Sequence, residues 1–157
     1  MAKSQAAPQR MVPAFGILYD ALAEYWYPVF RILFGAMFVP HGMQKLFGMF
    51  GAPPIARYVQ SFARMGGWAN DSGWVYYIGC LEFFGGICIA LGFLTRVFAI
   101  QFIGFMTVAV LLGNGPRGYW WTVGGWETPL FWGIAFIVIF ANGGGKWSVD
   151  RAIGREF

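Results

Sequence analysis

Residues 74–94 form the most constraining stretch in the chain: 21 positions, almost all apolar or glycine, with Glu82 as the one formal charge. A helix of that length rises about 30 Å, the thickness of a hydrocarbon core. Glu82 lies eight residues in, so about 12 Å below the helix end. Across the whole chain, 58% of residues are hydrophobic and 11% are charged, against roughly 25% charged in an ordinary soluble domain. So few charges cannot cover a soluble surface, which makes a bilayer the expected solvent. The length of 157 residues fits one domain.

Three more apolar segments are expected to cross. Residues 26–47 span with Pro28 near the start and Pro40 within, where a kink is predicted. Residues 97–113 and 126–141 follow. The fold class expected is all-α: an integral membrane four-helix bundle with short interfacial helices. One interfacial helix is expected over residues 14–27, where Asp20 and Glu24 share a face. Another is expected after Pro53 and Pro54, where Ile55, Val59 and Phe62 recur at helical spacing. The organisation is thus a tail and interfacial helix over 1–25, a four-helix unit over 26–141 and a C-terminal tail over 142–157. The N-terminal MAKSQAAPQR is polar and not followed by a short apolar run with a cleavage site, so no removable signal peptide is expected.

The net charge of +4 comes from eleven basic residues scattered singly, a pattern of membrane flanks and not of nucleic-acid binding. Four crossings put both termini on one side. That side carries Lys3, Arg10, Arg31, Arg96, Lys146, Arg151 and Arg155, against Lys45, Arg57, Arg64 and Arg117 opposite. The bias predicts cytoplasmic termini. Cys80 and Cys88 are too far apart along one helix to pair, and are expected as packing residues.

Arg31, Gly35, Phe38, Gly42 and Lys45 fall on one helical face, which should point at other helices because charge is costly against lipid. At its end VPHGMQKLFG gathers His41, Gln44 and Lys45. Lys45 is expected to pair with Glu82 or Glu127, with His41 hydrogen-bonded nearby. The plainer readings are that Lys45 and Glu127 snorkel to the interface and that His41 bonds a carbonyl freed by Pro40. Arg31, Arg96 and Asp150 read as cytoplasmic anchors. Trp74, Trp120, Trp121 and Trp126 suit an interfacial rim. No HExxH, GxSxG, Walker loop or CxxCH is present, so no metal site and no intrinsic cofactor are expected.

Arg31, the HGMQK of 41–45, Glu82 with Gly85 and Gly86, the GFLTR of 92–96, the GGWETPLFW of 124–132 and the terminal GGGKWSVDRAIGREF together resemble the DoxX family of small bacterial membrane proteins. The resemblance implies an inner-membrane four-helix bundle, and His41, Lys45, Glu82 and Glu127 as matched positions. Relatives include a quinone-reducing subunit of a thiosulfate-oxidising complex and a member of a complex handling thiol and superoxide stress. It therefore implies a redox-linked membrane subunit with a protein partner. A quinone would need carbonyl donors, a proton-exchanging group and an apolar cleft, for which His41, Gln44, Lys45, Glu82 and Glu127 are the candidates. The alternatives are a non-enzymatic scaffold or assembly subunit and, ranked below it, a small transporter.

Overall fold

The computed structural model describes residues 11–66 and 69–156. The expected loose tail over residues 1–13 therefore lies mostly outside the described residues. Those described are all-helical, with no strand among them. Helix α1 is Gly16–Phe47, α2 is Ile55–Ala63, and α3, Ser72–Cys80, runs through a π-helical turn, Leu81–Gly85, into α4, Gly86–Leu91. Helix α5, Thr95–Val108, continues into a second π-helical stretch, Ala109–Asn114; α6 is Glu127–Asn142 and α7 is Val149–Ala152. Ser72–Leu91 and Thr95–Arg117 are each long and apolar enough to cross a membrane by length and composition, while Glu127–Asn142 is apolar but shorter.

The amphipathic segment before residue 28 is not a separate helix. It merges with the next span into the 32 residues of α1, which passes through Pro28 and Pro40 without interruption. The two parts keep one phase, with Tyr27, Arg31, Gly35, Phe38 and Gly42 all buried. A helical register that holds its buried stripe across Pro28 gains packing that outweighs the lost backbone donor. Left-handed Gly48 then ends the helix, its N–H returning to Gln44 O.

Helix α1 packs along α3, the π-turn and α4, while α6 packs along α5. The first contact is backbone on backbone. A Cβ built on Gly35 would lie 2.5 Å from Ala90 N and 2.6 Å from Gly86 O. The core beneath is aromatic: Phe38 meets Phe102, Phe136 and Trp132 edge-on, and Phe102 stacks flat on Phe136 at 4.3 Å. Such pairs add to their burial through ring quadrupoles.

The C-terminal segment is structural, against the expectation of a simple tail with anchoring charges. Asp150 is buried at 2% exposure. Its carboxylate accepts from Leu94 N at 2.8 Å, Thr95 N at 3.0 Å and Thr95 Oγ1 at 2.7 Å, so it caps α5 from 55 residues away. Arg31 is fully buried and donates to Ile89 O, Ala90 O and Trp147 O at 2.5, 2.6 and 2.8 Å. Both were expected as cytoplasmic anchors, although the face that carries Arg31 was expected to point at other helices, as it does. They are buried because the tail folds back over the helix ends and supplies partners there. Arg96, by contrast, lies at the surface with Glu156 at 3.0 Å. Cys80 is exposed and Cys88 partly so, because the stripe buried against α1 runs through Gly79 and Glu82.

Gly35→Ala should cost about 1–3 kcal/mol, since the new methyl meets backbone that cannot yield. Gly104→Ala, with nothing within 4 Å of its Cβ, should be neutral or mildly stabilising; equal melting temperatures in detergent would refute the close-contact account. Asp150→Ala should cost about 1–3 kcal/mol by stranding the α5 N–H groups, read as faster amide exchange at Leu94 and Thr95.

Candidate functional site

Lys45 and Glu82 meet at the end of α1. Nζ lies 2.6 Å from Glu82 Oε2, with the side chains 11% and 5% exposed. Glycines make the approach possible. A Cβ on Gly79 would sit 3.1 Å from Lys45 Cβ, and one on Gly42 would strike the Phe83 backbone. Glu82 itself belongs to the π-turn. The wider turn shifts the following side chains relative to an α-helix, a distortion often found at functional positions.

The pair is roofed by α2. The Tyr58 ring stands over Lys45 with 5.5 Å from Nζ to its centroid, a cation–π contact. Burial, and secondarily the Glu82 carboxylate, pushes the Tyr58 hydroxyl above its ordinary range, so it remains a neutral phenol. One lysine and one carboxylate, each the other's counter-ion within an apolar surround, can hold or exchange one proton between them.

Other sequence candidates lie differently. His41 is exposed and packs its ring near Phe38 at 6.1 Å; no hydrogen bond to it occurs among the described residues. It sits one turn from Lys45, but the Glu82 carboxylate is bonded by the lysine and not by the imidazole. Gln44 accepts the closing N–H of Gly48 through its backbone carbonyl. Glu127 is not in the ion pair: its Oε2 accepts from Trp121 N at 3.0 Å, tying the aromatic loop to the start of α6. Trp120 and Trp121 are each 65% exposed, whereas Trp126 lies edge-on to Tyr119 at 4.8 Å. Trp74, at the first turn of α3, stands edge-on to Tyr77. Tyr58 escaped sequence reasoning, although its place one turn before Phe62 on an amphipathic helix was a usable signal. Among the described residues, no group of three or more His, Cys, Asp and Glu side chains could hold a metal ion.

An apolar helical chain with a buried ion pair between its long helices has the character of a membrane protein. The DoxX family model matches residues 28–115, more than half the chain, and the chain belongs to the DoxX family. It is 28% identical over 136 residues, covering 80% of each chain, to an uncharacterized membrane protein of Mycobacterium tuberculosis. No solved structure matches it.

Removing one partner of a buried pair leaves an uncompensated charge. Lys45→Met and Glu82→Gln should each destabilise the protein in detergent, Lys45→Met by about 3–5 kcal/mol. The double variant Lys45→Met/Glu82→Leu should recover most of that loss. Three unchanged melting curves would show that the pair is solvated and without structural weight.

Proposed function

We propose that the chain is a multi-pass protein of the bacterial inner membrane, a four-helix bundle with cytoplasmic termini, serving as a subunit of a redox-linked complex. The charge bias along the chain supports the orientation. The observation that carries the functional reading is the buried Lys45–Glu82 pair at 2.6 Å. Reduction of a quinone takes up two electrons and two protons. Electrons would come from a partner subunit, and the pair is suited to passing protons at the end of α1. Family resemblance supplies the redox link, which for this chain is a proposal by analogy.

A scaffold role is the second reading, and one observation favours it. Lys45 and Glu82 satisfy each other, and His41 makes no hydrogen bond among the described residues. A pair so matched serves equally to fix helix register.

Purification of the tagged protein from native membranes separates the two. The redox reading expects an oxidoreductase partner together with extractable quinone. It also expects Glu82→Gln to assemble with the partner while losing at least tenfold in quinone-dependent turnover. A partner without quinone, and full turnover in Glu82→Gln, would leave the scaffold reading standing. A reporter fused to the C-terminus should remain cytoplasmic.

A further inference from the structure

A second site lies apart from the ion pair, in a cavity of about 320 Å³ where α3 and α5 diverge beneath α2. Trp74, Tyr77 and Ile78 line it from α3, with Gln101, Gly104 and Phe105 from α5. These are the i, i+3, i+4 positions of each helix, so the two faces confront each other. Among the described residues, no charged one lines it.

Within the apolar lining stands one polar couple. Tyr77 Oη donates to Gln101 Oε1 at 3.1 Å, and Gln101 Nε2 donates to Val97 O at 3.1 Å. The phenol oxygen keeps its acceptor capacity and the amide keeps a second N–H, so one acceptor and one donor remain for a guest. Among the described residues nothing lies within 4 Å of a Cβ built on Gly104, so the helix leaves space at that point. Tyr77 is 47% exposed, so the cavity is open to the surroundings along that side chain.

We propose that this cavity binds an uncharged, mostly apolar ring compound bearing one hydroxyl or carbonyl oxygen, held by Tyr77 and Gln101 and supplied from the membrane phase. The size matches the lower end of small-molecule sites, about 300 Å³. The lining disfavours a charged guest, since no counter-ion among the described residues faces the space. The site stands whether or not the chain works in a redox complex.

The test uses the purified full-length protein in lipid nanodiscs, carrying 13C-methyl methionine. Met65 lines the cavity, and Met65→Leu assigns its resonance. Titration with 1-naphthol should shift that resonance saturably, whereas 1-naphthalenesulfonate should not shift it. Gln101→Leu should weaken naphthol by about three- to tenfold and leave naphthalene unchanged, as expected for one lost hydrogen bond. Gly104→Leu fills the space and should abolish the shift with its melting temperature retained. Non-saturating shifts equal in wild type and Gly104→Leu would mean partition into lipid alone and overturn the proposal. So would equal binding of the sulfonate, or a Met65 signal unmoved at every naphthol concentration because acyl chains already fill the space.

Discussion

Contact between the backbones of α1 and α4 at Gly35 and Gly86 sets the distances for everything on either side of it. Helices in a bilayer gain little from apolar burial against each other, because lipid is as apolar as they are, and in the proposed membrane bundle close packing and polar bonds would have to hold them. A glycine at 35 allows the closest approach, and a methyl there would meet Ala90 N at 2.5 Å. From that pivot, Arg31 reaches the carbonyls of Ile89 and Ala90 about one turn to one side. Lys45 reaches Glu82 about three turns to the other. Both polar bonds are short because the backbones already touch.

The two ends solve the problem of buried charge in different ways. Arg31 faces backbone carbonyls, a partial negative charge that the end of α4 and the Trp147 loop supply without a carboxylate. Its Nε is the buried side-chain nitrogen without a partner among the described residues, a cost the other donors offset. Asp150 stands beside this end and uses its carboxylate on α5. The tail thereby joins α1, α4 and α5 through two buried charges that never pair directly. Tyr27 adds a third tie, donating to Gly143 O and Ile139 O.

How much of this could be read beforehand depends on whether an interaction follows chain periodicity. The stripe from Arg31 to Lys45 was legible because a helical repeat fixes which residues share a face, and its burial follows from the cost of charge in lipid. Glu82 as a partner for Lys45 was legible as one of two choices, since sequence carries depth but not azimuth. The role of Asp150 was not, because a cap delivered from 55 residues away has no local spacing to reveal it. The π-turn at Leu81–Gly85 has no residue code of its own. Its placement follows from tertiary contact with α1. Nor was the cavity legible, since it depends on the angle at which α3 and α5 part.

Helix α2 links the two candidate sites more tightly than their separation along the chain suggests. Tyr58 and Phe62 stand one turn apart on it, the first over Lys45 and the second lining the cavity. From α3 into the π-turn the same spacing recurs, for Ile78 lines the cavity and Glu82 holds the lysine. Each segment thus contributes one residue to either site, four positions apart and in opposite chain order. Phe62 is the buried residue of α2, and Ile55, Tyr58 and Val59 pack half-buried against the same core. The prolines ahead of it set the direction from which it enters. A nine-residue helix with one buried side chain is less firmly fixed than the α1–α4 contact. Because it roofs the ion pair and the cavity together, the exposure of either to its surroundings is set by the same small element.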